Sequence, residues 1–310
     1  MEFPSAMKDK PGSSPSPFLE EKDILSGLIE EKSSSLFLCR YSMTEVASVL
    51  GKRNFFKEAR KRHLWPLAYT LDSSEYPVQR YQIFFKEARP ANLIVDLKIR
   101  EGRLKPRENP PFPPEFFEFE FLILEWLTLQ NPLLHFSRKR PPLPGQHHPG
   151  LGLGKKVVDI FVYLARLTQK DGVLAFPAYF HNALLFTRYF HFLNPEKQGE
   201  VLAVEKAFPD IPFKHLAWIV HLNCLRETGG KFYEWMAEEQ VFPLNRALKN
   251  YFQSRSYSQI VRETIAKRHF QIDWACYEKK VDELLAHHST RPAETKPSRL
   301  LPKLPTGNSR

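Results

Sequence analysis

A long run of strand-like residues at positions 116–129 constrains the fold more than any other part of the sequence. Its first half alternates phenylalanine with glutamate, and its second half is almost continuously apolar, as in a strand that is buried on both faces of a sheet. Glu118, Glu120 and Glu125 lie inside the run, and these charges exclude a membrane-spanning helix. The run is therefore predicted to be a long, buried strand.

Shorter elements are predicted on both sides of this strand from the spacing of apolar residues. Prolines cluster between 130 and 149, so this stretch is predicted to be a loop. The predicted strands are 35–41, 78–86, 92–100 and 172–177, and the predicted helices are 43–50, 53–63, 151–170 and 179–190.

A chain of 310 residues corresponds to about two domains. We expect an α/β (α+β) fold over residues 23–195, with a mixed, largely antiparallel sheet flanked by helices. Residues 196–288 show helical spacing throughout and are predicted to form a helical subdomain. Residues 1–22 and the basic tail 289–310 are rich in proline and polar residues, so they are predicted to be disordered.

The net charge of +10 is unevenly distributed along the chain. Basic residues concentrate in the segments 52–62, 137–156 and 288–310, whereas the rest of the chain is net acidic. Local basic patches predict an anionic partner, which is either a nucleic acid or a phosphate-bearing cofactor. A solvated basic surface is the alternative interpretation of each patch.

The cysteines and histidines give little indication of a metal or disulfide site. Cys39, Cys224 and Cys276 are too few and too far apart for a disulfide framework or a cysteine-rich zinc site. His147 and His148 have no cysteine or carboxylate within ten residues, so we expect no metal.

The N-terminal residues contain no apolar signal segment, and we therefore expect a cytoplasmic protein without a membrane partner.

The sharpest local motif is a glycine-rich loop between the long strand and the strongest helix. Gly150, Gly152 and Gly154 alternate with leucine, and Lys155 and Lys156 follow. Backbone N–H groups at such a helix start bind phosphate oxygens with help from the helix dipole. The loop therefore predicts a phosphate site, with a plain structural turn as the alternative.

Two common nucleotide-binding motifs do not fit this loop. A P-loop requires Ser or Thr after Gly-Lys, but Lys156 follows Gly154-Lys155 here. A Rossmann fingerprint requires Gly-x-Gly-x-x-Gly after the first strand, whereas the spacing here is Gly-x-Gly-x-Gly deep in the chain. The motif therefore indicates neither a P-loop NTPase nor a Rossmann dinucleotide-binding protein.

The order of elements over residues 35–195 resembles that of the GNAT-type acyl-CoA N-acyltransferases. Their pyrophosphate loop reads Arg/Gln-x-x-Gly-x-Gly/Ala, and residues 147–152 match it with His147 in the first place. His181-Asn182-Ala183 resembles a helix that follows in the family. The resemblance implies transfer of an acyl group from acetyl-CoA or another acyl-CoA to an unknown amine. The implied cofactor-binding residues are His147, Gly150, Gly152, Gly154, Lys155 and Asn182.

The same resemblance implies two catalytic residues. Glu125 lies near the end of the long strand, where the family often has a glutamate that acts as general base. A carboxylate in this apolar run beside Trp126 should have a raised pKa because desolvation favours the neutral acid. Tyr189 is the candidate that would reprotonate the departing thiolate.

Two other functions remain open at this point. Residues 42–85 resemble the winged helix-turn-helix of mercury-resistance-type regulators, with 42–51 as the first helix and turn and 53–63 as the recognition helix. The segment 52–63 is predicted instead to be a surface helix beside the cofactor or acceptor cleft, with only non-specific contact to nucleic acid. The third possibility is a GNAT-like fold that binds a ligand or partner without catalysis.

Overall fold

The computed structural model describes residues 36–137 and 140–287. The strands of this part are β1 Leu67–Asp72, β2 Gln79–Phe85, β3 Leu93–Gly102, β4 Phe121–Leu129, β5 Gly172–Ala175, β6 His191–Phe192, β7 Leu225–Glu227, β8 Gln240–Pro243 and β9 Phe270–Ile272. Its α-helices are α1 Met43–Lys52, α2 Phe55–Lys61, α3 Gly154–Leu167, α4 Phe180–Phe186, α5 Pro195–Ala207, α6 Phe213–His221, α7 Arg246–Phe252, α8 Arg255–Lys267 and α9 Trp274–His287.

The main sheet has seven strands in the order β1-β2-β3-β4-β5-β8-β6. Neighbouring strands are antiparallel, except that β4 and β5 run parallel. Strands β7 and β9 form a separate antiparallel pair. The predicted mixed, largely antiparallel sheet with flanking helices is therefore confirmed.

Strand β4 separates two apolar layers, as its sequence predicted. Leu122 and Leu124 belong to a core with α1, α2 and α3, where Leu50, Phe55 and Val157 pack. The alternate residues of β4 face a second core that includes α7 and α8. Both layers remove the first four residues of β4, 121–124, from water, which explains the apolar run there.

Two N-terminal predictions were wrong in detail, and one strand was missed. Residues 36–41 of the predicted strand 35–41 form a turn, closed by an isolated bridge between Phe37 and Tyr41. The alternating residues before β4 form a short 3₁₀ helix, Pro114–Glu118, because the prolines that precede them favour a helical turn over a strand. Strand β1 was not predicted at all.

The C-terminal third is not purely helical, which corrects the prediction for residues 196–288. Strand β8 enters the main sheet between β5 and β6, and α5 and α6 form an excursion between β6 and β8. These short strands carry little periodicity, so their sequences do not distinguish them from helix ends. The segments predicted to be disordered, 1–22 and 289–310, lie outside the described residues.

The proline-rich loop before the glycines is fixed by α6. The indole N–H of Trp218 donates to the carbonyl of Pro142 at 3.0 Å, and the Lys214 ammonium lies 3.5 Å from the carbonyl of Pro141. Pro141, Pro142 and Leu143 are buried as a result.

No helix in the described part of the chain is long and apolar enough to cross a membrane.

Candidate anion-binding site

The middle of the sheet contains a gap between β4 and β5. The two strands pair only between residues 121–124 and Gly172–Ala175, so residues 125–129 lack a strand neighbour on that side within the described chain. At the same point β4 has a bulge, since Ile99 is paired with Leu124 and Lys98 with Trp126, leaving Glu125 as the extra residue. Bulges often redirect side chains beside binding sites.

The glycine-rich loop begins against the end of β4. The Asn131 N–H donates to the Pro149 carbonyl at 2.8 Å, and the Leu151 N–H donates to the Leu129 carbonyl at 3.2 Å. These two bonds close the loop 130–150 and bring its glycines to the sheet. Helix α3 then begins at Gly154 without a side-chain cap.

The first turn of α3 has free backbone donors. The amide of Val157 donates to the Leu153 carbonyl at 3.0 Å. The amides of Gly154, Lys155 and Lys156 have no acceptor within residues 36–137 and 140–287. Unsatisfied amides and the positive end of the helix dipole together favour an anion at this position.

A cavity of about 560 Å³, called the basic cavity below, lies beside this loop. Arg62, Arg140 and Lys214 line it together with Gln146 and the glycines Gly150 and Gly152, and no Asp or Glu of the described chain does so. Burial and the neighbouring Arg140 lower the pKa of Lys214. The excess of positive charge fits an anionic ligand.

Arg62 connects this cavity to α2. Its Nε donates to the Leu151 carbonyl at 3.0 Å, and its Nη1 bonds Glu58 at 2.7 Å. The hydrogen bond from Arg62, with a further one from Lys61, lowers the pKa of Glu58 to about 2. Arg62 is therefore held rigidly at the wall of the cavity.

The structure brings some of the predicted cofactor residues together and leaves others apart. Gly150 and Gly152 line the basic cavity, whereas Gly154 and Lys155 lie at the start of α3 and do not line it. His147 is exposed and does not line the cavity, but its neighbour Gln146 does. Asn182 lies on α4, half-buried and outside the cavity.

Glu125 does not have the apolar surroundings that were expected. Its Oε1 accepts a hydrogen bond from Arg100 Nε at 2.6 Å, and its side chain is 32% exposed. Trp126, the expected apolar neighbour, is itself 43% exposed. The bulge accounts for this difference, because it interrupts the alternation that would have placed Glu125 among apolar residues.

Tyr189 lies three residues beyond the end of α4 and does not line the basic cavity. It is half-buried and packs against the core of α1, α2 and α3. The structure therefore does not bring Glu125 and Tyr189 into the lining of one cavity.

Gln146, Arg62 and Lys214 line the basic cavity but were not among the residues predicted for a site. Arg62 belongs to a basic segment that the charge pattern identified, but no local pattern distinguished it from its neighbours. Lys214 comes from α6, and only the docking of α6 on the proline-rich loop brings it to the site. No sequence signal marks such a long-range contact.

Helix α2 differs from a helix-turn-helix recognition helix. It has only seven residues, and its Phe55 and Ala59 are buried. The cationic side chains around it have partners within the protein, since Arg60 stacks over Trp65 at 4.0 Å and Arg62 pairs with Glu58. The strands β1 and β2 that would form the wing belong to the main sheet.

An aromatic and histidine cluster packs between α4, α6 and the proline-rich loop. The Tyr179 ring lies 5.4 Å from the ring of His181 and 5.6 Å from that of His221. Burial, and to a smaller extent the neighbouring His221, lowers the pKa of His181 to about 4. His181 is therefore neutral at physiological pH.

The chain matches no family model, no curated protein and no solved structure. Within residues 36–137 and 140–287, no group of three or more His, Cys, Asp or Glu residues could hold a metal ion.

Two glycines of the loop should respond differently to substitution by alanine. Gly152 has a φ of +72°, so Gly152→Ala should lower the free energy of unfolding by about 1 kcal/mol. A Cβ at Gly154 would meet no atom within 4 Å, so Gly154→Ala should change stability by less than about 0.5 kcal/mol. Urea unfolding of both variants measures the difference. Equal destabilisation would contradict this geometry of the loop.

Burial of neutral His181 should make the fold sensitive to acid. The pKa is about 4 in the folded state against an ordinary value of 6.5, so the unfolded state binds the proton first as pH falls. As pH falls from 6.5 to 4, this histidine should therefore lower the free energy of unfolding by up to about 3 kcal/mol. Above pH 6.5 it should have no such effect. Urea unfolding at pH 7.5 and pH 5 should show a smaller difference for His181→Gln than for the wild type. The control is His147→Gln, at an exposed position, which should behave as the wild type does. If His181→Gln loses as much free energy of unfolding between pH 7.5 and pH 5 as the wild type, the assignment is refuted.

Proposed function

We propose that this chain is an acyl-CoA-dependent N-acyltransferase of GNAT type. The single observation that carries the proposal is the glycine-rich loop, which lines a cavity together with three cations and leads into the uncapped start of α3. Acetyl-CoA or another acyl-CoA is the co-substrate, and an amine of unknown identity is the acceptor.

The basic cavity suits the phosphates of coenzyme A. A pyrophosphate accepts hydrogen bonds from the amides at the start of α3, while Arg62, Arg140 and Lys214 balance its charge. Gly150 and Gly152 leave the backbone accessible to the ligand. Gln146 is of the residue type with which the family's loop begins and it lines the basic cavity, but it precedes Gly150 by four residues, one more than the motif has, so His147 keeps the first place in the motif.

The gap between β4 and β5 suits the amide-bearing arm of the same cofactor. Residues 125–128 have no strand partner on the β5 side within the described chain, and an extended ligand can add to such an edge through backbone hydrogen bonds. Four residues of extended strand separate Leu129 from Glu125, which is about 13 Å. The thioester therefore reaches the region of the bulge when the phosphates lie at the loop.

The chemistry at the bulge is acyl transfer. The neutral amine attacks the thioester carbonyl, a C–N bond forms, and the C–S bond breaks. The attacking nitrogen loses a proton to a base, and the departing thiolate takes up a proton. Glu125 is the proposed base, positioned by Arg100, and Tyr189 is the proposed acid.

One observation favours a non-catalytic module with the same ligand. Glu125 is paired with Arg100, and Tyr189 packs into the core outside the basic cavity. In this second candidate function the chain binds an acyl-CoA, or a partner with similar anionic groups, without transferring the acyl group.

The cations of the basic cavity should determine affinity for coenzyme A. Loss of a charge-assisted hydrogen bond weakens binding by about tenfold or more, so Arg140→Ala with Lys214→Ala should reduce affinity by about 100-fold. Isothermal titration with coenzyme A measures the effect, and a higher salt concentration should weaken wild-type binding further.

The matched control is Arg246→Ala with Lys249→Ala, which removes the same two residue types from exposed positions on α7. This control should bind coenzyme A as the wild type does. No binding of coenzyme A by the wild type, or equal losses in the two double variants, would reject the cofactor assignment.

Glu125→Gln tests catalysis separately from binding. It keeps the shape of the side chain but removes the proton acceptor, so kcat should fall by about 100- to 10,000-fold with coenzyme A affinity unchanged. An amine acceptor is first identified by screening amines for release of the free thiol from acetyl-CoA. Full kcat in the variant would exclude Glu125 as the base, and no turnover by the wild type with any amine would favour the non-catalytic module.

A further inference from the structure

A second cavity, called the apolar cavity below, lies between the sheet and the helices α1 and α3. Its volume is about 310 Å³, and most of its lining is aliphatic or aromatic. Leu127 and Leu129 contribute from β4, Ile160 and Leu164 from α3, and Val46 from α1. Concave, mostly apolar pockets with a few polar groups are the usual form of a ligand site, so this cavity is a candidate for one.

The polar groups of the apolar cavity are concentrated at one side. Glu45, Ser48 and Lys52 line it from α1, and all three residues are exposed to solvent. They mark a mouth at the surface, while the sheet and α3 form apolar walls. An apolar cavity of this kind binds aliphatic or aromatic groups rather than ordered water.

The apolar cavity and the basic cavity share a wall at the end of β4. Leu129 lines the first and Leu151 lines the second, and the Leu151 N–H donates to the Leu129 carbonyl at 3.2 Å. A site for an aliphatic group therefore lies next to a site with three cations. This juxtaposition matches the chemistry of an amphiphile that has an anionic head and an apolar chain.

We propose that the apolar cavity binds the aliphatic chain of an acyl group whose anionic part lies in the basic cavity. This inference rests on the proposed function and names its substrate class as medium-chain rather than acetyl. At about 30 Å³ for a group the size of water, 310 Å³ holds roughly ten chain carbons. The acyl chain arrives as a coenzyme A thioester or as a free carboxylate, and the experiment distinguishes these two sources.

The experiment measures affinity against chain length on the full chain. Titrations use coenzyme A, acetyl-, hexanoyl-, decanoyl- and tetradecanoyl-CoA, with the corresponding free carboxylates as a second series, all below their micelle concentrations. Each buried methylene should strengthen binding by about fourfold until the cavity is full at roughly ten carbons, after which the gain should stop.

The outcomes separate the two proposals. Binding of coenzyme A with no dependence on chain length would overturn the acyl-chain site and leave the proposed cofactor in place. If free carboxylates bind with an affinity that rises with the length of their aliphatic chain, and no thioester binds, the result would support the apolar site and reject the coenzyme A function. An affinity that rises to decanoyl-CoA and then levels off supports both.

A cavity-filling variant tests the location. Val46 is half-buried on α1 and lines the apolar cavity, so Val46→Trp should remove the dependence on chain length while acetyl-CoA affinity stays the same. The matched control is Leu185→Trp, since Leu185 is 52% exposed on α4 and lines neither cavity. Val46→Ala provides a second, milder change that retains the dependence. Persistence of the full chain-length dependence in a folded Val46→Trp protein would overturn the assignment to this cavity.

Discussion

Two backbone hydrogen bonds at the end of β4 hold the candidate site together. They join Asn131 to Pro149 and Leu151 to Leu129, and so close a proline-rich loop onto the sheet before α3 begins. The first residues of α3 are thereby fixed beside the open half of β4. Both cavities meet at this closure, since Leu129 lines one of them and Leu151 the other. Without it, neither the glycines nor the helix start would have a defined position relative to the sheet.

The positive charge of the site is assembled from distant parts of the chain. Arg62 follows α2, Arg140 belongs to the proline-rich loop, and Lys214 lies on α6. Burial and the nearby Arg140 lower the pKa of Lys214, as expected for an amine placed beside another cation. Within the described residues, Arg62 has a carboxylate partner, Glu58, whereas Arg140 and Lys214 have none, so the lining carries a net positive charge that would favour an anion.

The sequence allowed the central elements of the fold to be predicted because their signals are local. The alternation of β2 and β3, the apolar run of β4 and the helical spacing of α3 are each visible within one segment. Strand β1 is short and lies on the edge of the sheet, with both faces partly exposed, so no alternation marks it. Strand β8 has only four residues and acquires its place from its neighbours β5 and β6.

The candidate site, like the fold, could be predicted only where its signals lie within one segment of the sequence. The glycines and the helix start form a local motif, so the sequence placed Gly150 and Gly152 in one loop, and in the structure both line the basic cavity. The surroundings of Glu125 depend on a bulge and on Arg100 from another strand, and neither can be read from residues near position 125. The same limit applies to Gln146 and Lys214, whose roles follow from loop closure and helix docking.

Three features of this region each cost stability without a compensating contact in the described chain. The amides at the start of α3 have no acceptor there, Arg140 and Lys214 line the basic cavity without a carboxylate partner in the described chain, and an apolar pocket opens beside the sheet. Any one of these is tolerable in a folded protein, but Leu129, which lines the apolar cavity, lies just before the loop that lines the basic cavity, and the helix start lies just after it. Destabilising features that lie close together are typical of a binding site, because a ligand that satisfies them together stabilises the folded state. An anionic head for the amides and cations, joined to an apolar chain for the void, satisfies all three at once.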